Sequence, residues 1–191
     1  MRAVAATIAA FAVLAAPAGA AASGTQETIF HGFTPTGKPT IPTKKATGYC
    51  FGGAIAIPRA DAWRCFVGNY IYDPCFSSAR ARSSVVCPNA AVTGGTEIRL
   101  TKPLPRHLAD TGSPNARDAP WDIETVTSSH CVAVTGATTL IDRQPLRYMC
   151  RGNVGLWGSP NRSSRPLWTI LVAPENAKRL FQRVGIRHVW M

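Results

Sequence analysis

The chain has 191 residues, a formal charge of +11 at neutral pH and 46% hydrophobic residues. That length bounds it to about one domain and is enough to bury a core. Its fifteen prolines and sixteen glycines argue against long helices.

Arg2 precedes an apolar run from Ala3 to Ala16, broken only by Thr7, and Pro17 leads into Ala18-Gly19-Ala20. This is the layout of an export signal, and the run is shorter than the ~20 residues a spanning helix needs. The sequence predicts a Sec-type signal peptide over residues 1–20 with cleavage near Ala20, a secreted mature chain and no integral membrane anchor. Residues 21–47 carry Pro35, Pro39 and Pro42 among threonines and lysines without a steady period. They are expected to form a flexible tether, with a docked strand within Thr28–Phe33 as the alternative. Residues 48–191 are the expected folded domain.

Ala54–Ile57 is expected as a strand, and Pro58–Phe66 as one or two helical turns, with Pro58 or Arg59 early and Asp61 near the positive end. Tyr70–Tyr72, Val85–Cys87 and Glu97–Thr101 read as short strands, and Pro103–Pro120 as a surface loop. Trp121–Val126 alternates, with Trp121, Ile123 and Thr125 on one face and Asp122 and Glu124 on the other. His130–Val134 reads as its returning strand. Leu146–Cys150 alternates again, Leu167–Val172 is a continuous apolar strand, and Ile186–Trp190 a final one. Pro174–Val184 places Ala177, Leu180, Phe181 and Val184 on one helical face. The fold class is therefore mainly β (a β-rich α+β domain): a compact, disulfide-stapled antiparallel sheet with one short C-terminal helix.

Six cysteines in an exported chain are most simply three disulfides. Cys131 and Cys150 lie on neighbouring predicted strands and are expected to pair. Cys75–Cys87 and Cys50–Cys65 follow by proximity. No C-x-x-C spacing occurs, and the four histidines lack i, i+4 pairing, so neither a metal nor a cofactor is expected. Two catalytic alternatives remain. Cys50 could act as a thiol nucleophile with His107 or His130 as base. Asp122 and Glu124 share a strand face and could serve as an acid/base pair on a sugar, although a solvated strand gives the same pattern. No G-x-S-x-G elbow is present. Asn161-Arg162-Ser163 fits a glycosylation acceptor and marks an exposed loop.

The charge is unevenly spread. Between Gly48 and Asp142 acidic and basic residues balance at eight each, whereas Arg143–Met191 holds nine basic residues against Glu175 alone. Arg147 and Arg151 are expected to share an outer strand face. Arg162 and Arg165 lie in a loop between Trp157 and Trp168, and Lys178, Arg179 and Arg183 lie opposite the helix's apolar face. Guanidinium groups beside aromatic rings suit phosphate or carboxylate partners. This predicts a binding surface for an anionic wall polymer, a lipid headgroup or a nucleic acid. The Gly158–Pro166 loop could alternatively be the inserted element of a secreted inhibitor.

The runs Gly48-Tyr49-Cys50-Phe51-Gly52-Gly53, Ala60-Asp61-Ala62-Trp63-Arg64-Cys65, Asp73-Pro74-Cys75-Phe76 and Pro166-Leu167-Trp168-Thr169, with the terminal Val189-Trp190, carry a likeness. Together they resemble a small secreted, cysteine-containing module of high-GC Gram-positive bacteria that has no assigned activity. The resemblance implies a single disulfide-bearing domain and brings no catalytic residue. The expectation is thus a non-catalytic, envelope-associated binding domain, with an envelope-directed hydrolase (Asp122/Glu124 or Cys50) or an inhibitor as alternatives.

Overall fold

The computed structural model describes residues 24–90, 93–106, 119–136, 138–179 and 182–191. The expected signal peptide, His107 and most of the proline-rich loop lie outside the described residues. Within them the chain is all strand and turn, with no helix. β1 (Gln26–Thr28) is followed by β2 (Thr43–Gly53), β3 (Ala62–Val67), β4 (Tyr70–Phe76), β5 (Ser84–Ala90) and β6 (Gly94–Leu100). Then come β7 (Asp122–Thr125), β8 (His130–Ala133), β9 (Leu140–Ile141), β10 (Gln144–Cys150), β11 (Val154–Asn161), β12 (Trp168–Pro174) and β13 (Gln182–Trp190).

β2 to β6 form a meander that closes into a barrel. Each strand is antiparallel to the next, so with an odd number the first and last run the same way. The closing pair β2–β6 is accordingly parallel. The second half runs β13-β12-β11-β10-β8-β7, and β13 also pairs antiparallel with β7, so this sheet returns on itself through six strands. An even meander closes antiparallel for the same geometric reason. β9 lies off this ring and pairs with β10.

The first barrel is filled by Trp63, Val85, Ile98 and the bridges Cys50–Cys65 and Cys75–Cys87. The second is filled by Ile123, Tyr148, Leu156, Ile170, Ile186 and Val189 around Cys131–Cys150. These are the three expected pairings, and they leave no free cysteine. Gly48 is needed where β2 meets β3, because a Cβ there would stand 2.0 Å from the Phe66 carbonyl oxygen.

The two halves meet across Phe30, Ala56, Ile57, Ala62, Phe76, Trp121 and Trp190. Phe30 comes from the segment expected to be a tether, and that expectation is corrected for its described part. Phe30 lies 5.0 Å from Phe76 and 5.4 Å from Trp121, ring centre to ring centre. β1 pairs parallel with β13 at His188–Trp190, taking over the edge that β12 leaves at Ile186. Two phenylalanines, Phe30 and Phe33, are both buried, which a solvated linker would not permit.

Among the described residues of Pro174–Val184 the expected C-terminal helix is not formed. Pro174 ends β12, and Val184 sits in β13 opposite Ile170. The apolar spacing that suggested a helix is served instead by a hairpin, whose ladder satisfies the backbone against a neighbouring strand. Leu180 and Phe181 lie outside the described residues.

The expected strand at Ala54–Ile57 and helical turns at Pro58–Phe66 are also replaced, by a loop that enters β3 at Ala62. Here the Asp73 carboxylate accepts from the Ile55 and Ala56 N–H groups at 3.0 and 3.2 Å, taking the place of a ladder. Arg64 Nε lies 3.1 Å from Asp73 Oδ2, and the Asp73 side chain is almost wholly buried. Burial outweighs the two N–H groups and Arg64, raising this carboxyl from 3.8 to about 6. Because the folded form holds the proton more tightly, this group's contribution to stability is full below about pH 4 and falls as pH rises to about 6. A shift of that size corresponds to a loss of ~3 kcal/mol. Urea midpoints of wild type and Asp73→Asn, compared from pH 4 to 7, are expected to diverge with the variant gaining as pH rises; parallel curves would contradict this.

Candidate functional site

The basic residues of the second half are all exposed, but the fold divides them. One group gathers where β11 passes into β12. Asn161 Oδ1 accepts from the Ser163 N–H at 3.0 Å, turning the chain. The Arg162 guanidinium lies over the Trp168 ring at 4.4 Å from its centre. Ser164 Oγ and Thr169 Oγ1 are 3.1 Å apart, and Arg183 Nη1 donates to Thr169 Oγ1 at 3.5 Å. Arg165 follows Ser164 in the same loop. Two guanidinium groups and two hydroxyls thus gather where β11 passes into β12, with Arg165 exposed in the same loop.

The second group is at the opposite end of these strands. Arg151 lies in the turn after β10, and Lys178 and Arg179 in the connection from β12 to β13. The Glu175 N–H donates to the Asn153 carbonyl at 3.0 Å, tying turn and connection together. Since Arg183 lies in β13 and no helix is present among the described residues, Lys178, Arg179 and Arg183 do not share a helical face, which corrects that expectation. Arg183 projects from β13 beside Leu171, away from the other two.

Arg147 and Arg151 do not share a face either. A bulge between Leu146 and Tyr148 interrupts the alternation of β10. Arg147 borders a cleft with Ile55, Pro120, Tyr148 and Ser159. Arg151 borders another, of about 450 Å³, with Asn89, Thr93, Ser129 and His130. Trp157 and Trp168 are both core residues, and Trp157 is fully buried.

The hydrolytic alternatives lose their parts. Cys50 is bonded to Cys65, so no thiolate is available there. Asp122 and Glu124 do share a face, but Asp122 is fully buried rather than solvated. Asp122 Oδ2 lies 3.8 Å from His130 Nδ1, and Glu124 is bound by Arg187 at 3.0 Å. Arg187 also donates to Ser128 Oγ and to the Val126 carbonyl, so it fastens β13 to the β7–β8 turn. His188 stacks flat on Trp190 at 4.1 Å and is hydrogen-bonded to Thr28 Oγ1. Burial, with nearby His130, holds its imidazole below the usual range against the pull of Glu124. Burial likewise pushes the Tyr148 phenol far above its ordinary value. Among the described residues, the metal-ligating side chains that converge are Cys65, Cys75 and Cys87, and all three are in disulfides.

Sequence reasoning missed Arg59, whose Nη1 donates at 2.8 Å to the carbonyls of both Phe30 and Met191. Its signal was the Arg59-Ala60-Asp61 run, since Asp61 takes the other edge of the same guanidinium. Comparison with family models, curated proteins and solved structures finds no match for the chain.

Proposed function

We propose that the chain is an exported, non-catalytic binding domain of the cell envelope, whose second barrel holds an anionic polymer through phosphate or carboxylate groups. The observation that carries this reading is a set of exposed cations left without acids. Among the described residues Arg147, Arg151, Arg165, Lys178, Arg179 and Arg183 have no carboxylate within ion-pair reach, whereas Lys45, Arg59, Arg64 and Arg187 each have one. Concentrated like charge raises the local potential and attracts polyanions. The end formed by Arg162, Arg165, Arg183, Ser164 and Thr169 is the best-built part. Its guanidinium forks and hydroxyls match the oxygens of a phosphate or carboxylate, and stacking on Trp168 holds Arg162 in place. Three disulfides suit an oxidising, extracellular setting.

The test is retention on an anionic resin as salt is raised. Wild type is expected to elute later than the double variant Arg162→Glu, Arg165→Glu. The variant's log–log salt slope should fall by about two, one for each lost contact. Salt-insensitive retention, or an unchanged variant, overturns the proposal.

A further inference from the structure

The first barrel carries a surface of a different kind. Strand alternation sends Cys50 and Cys65 inward and Tyr49, Phe51 and Phe66 outward, and Ile71 is the cross-strand partner of Phe66. Phe66 stacks on Phe51 at 4.6 Å and lies 5.6 Å from Tyr49. The result is a continuous apolar face across β2, β3 and β4. It ends at the β3–β4 hairpin, where Tyr70 is 75% and Ile71 49% exposed; Phe51 is 40% exposed. Among the described residues, a Cβ built at Gly52 or at Gly68, which flank this face, meets no atom within 4 Å.

We infer that this face docks the protein on an anionic lipid bilayer, with Tyr70 and Ile71 at the hairpin tip and Phe51 entering the interface. Three observations select a bilayer. First, faces of the Tyr49, Phe51 and Phe66 rings are already occupied. Lys102 Nζ sits 4.4 Å from the Tyr49 centroid, the Arg64 guanidinium 5.3 Å from that of Phe51, and Phe51 and Phe66 cover each other. On Tyr49, Phe51 and Phe66 this leaves less ring face for flat stacking of a sugar or a base, while apolar edges remain open. Second, the charge beside the face suits lipid headgroups. Among the described residues Lys102 and Arg99 have no carboxylate partner, while Asp73 is buried against Arg64 and Glu97 is bound by Lys45. A cation near an anionic surface adds to binding, and long basic side chains lie well at headgroup depth. Third, the outer wall of a closed barrel is convex, and its most exposed apolar residues are at a hairpin tip. That shape fits a deformable interface, and tyrosine suits a boundary with one apolar and one wet side.

The experiment is co-sedimentation with vesicles of phosphatidylglycerol and phosphatidylcholine in equal parts, using the mature chain. Wild type is expected to sediment with them and to bind pure phosphatidylcholine about tenfold more weakly. Phe51→Ser, and separately Tyr70→Ser with Ile71→Ser, should each weaken partitioning about tenfold, the loss expected from one buried apolar side chain. The thermal transition of the Tyr70/Ile71 variant should match wild type, because those side chains are the more exposed, and that of Phe51→Ser should fall slightly with the lost Phe66 contact. Retention of both on the anionic resin should match wild type, because no charge is changed. No wild-type binding, or variants that bind as well as wild type, overturns the inference. So does a wild-type dimer in analytical ultracentrifugation that these variants make monomeric, since the face would then belong to a second copy.

Discussion

Serine at both Cys75 and Cys87 is expected to cost more stability than serine at both Cys131 and Cys150, about 3–5 kcal/mol against about 2–3. Loop-closure entropy alone predicts the reverse. The Cys75–Cys87 bridge spans 12 residues and Cys131–Cys150 spans 19, which favours the longer loop by about 0.4 kcal/mol. The native seams decide otherwise. Cys131 and Cys150 are directly paired within a run of three cross-strand pairs joining β8 and β10, so that seam persists without sulfur. β4 and β5 share a single pair, Phe76 with Val86, immediately beside Cys75 and Cys87. The bridge therefore does much of the work of closing the first barrel. Both sulfurs also lie in its dry core against Cys65, so their loss leaves an underpacked interior. Urea unfolding of the two double variants measures the order, and near-ultraviolet circular dichroism should show lost aromatic packing for Cys75/Cys87. A larger loss at Cys131/Cys150 would show that chain entropy outweighs the seam.

The second large effect is at Arg59. Its Nε and Nη2 bind Asp61, its Nη1 binds the Phe30 and Met191 carbonyls, and its plane lies 4.9 Å from the Phe76 ring centre. One side chain thus joins the N-terminal segment, the loop before β3 and the C-terminal residue. Arg59→Ala leaves two carbonyls and a carboxylate without this donor, and is expected to destabilise by about 2–4 kcal/mol. Arg59→Lys should recover less than half, because an ammonium group cannot serve a carboxylate fork and two carbonyls at once. Hydrogen exchange should rise first at the Phe30 and Met191 amides, which bond each other's segments across β1 and β13. A uniform rise across both barrels, or full rescue by lysine, would mean the clamp is not local.

The parts of the fold legible in the chain were those set by local pattern. Glu97–Thr101, Trp121–Val126, Leu146–Cys150 and Ile186–Trp190 alternate, and each overlaps an observed strand. β2 and β11 were not legible. Gly48, Gly52 and Gly53 in one, and Gly155, Gly158 and Pro160 in the other, are turn formers by propensity. Close approach explains two of them: a Cβ at Gly48 would meet the Phe66 carbonyl oxygen at 2.0 Å, and one at Gly155 would meet Leu146 Cδ1 at 2.5 Å. β1 has three exposed residues and no apolar alternation, so only the free edge of β13 defines it.

The candidate surfaces divide the same way. An excess of cations after Asp142 is a property of composition. Which of them remain without acids, and that they gather at two ends of a barrel, depends on strand register and on the bulge in β10. The aromatic face was visible only as residues flanking cysteines, because Phe51 and Phe66 are fifteen residues apart and become neighbours when β2 pairs with β3. Sequence by itself determined the β-rich class and an even set of thiols, since alternation, turn residues and cysteine count act over a few positions. Tertiary structure alone decided the two closures, the docking of the N-terminal segment, the absent helix and the burial of Asp122. Each depends on which distant backbone supplies hydrogen-bond partners and which distant side chain excludes water.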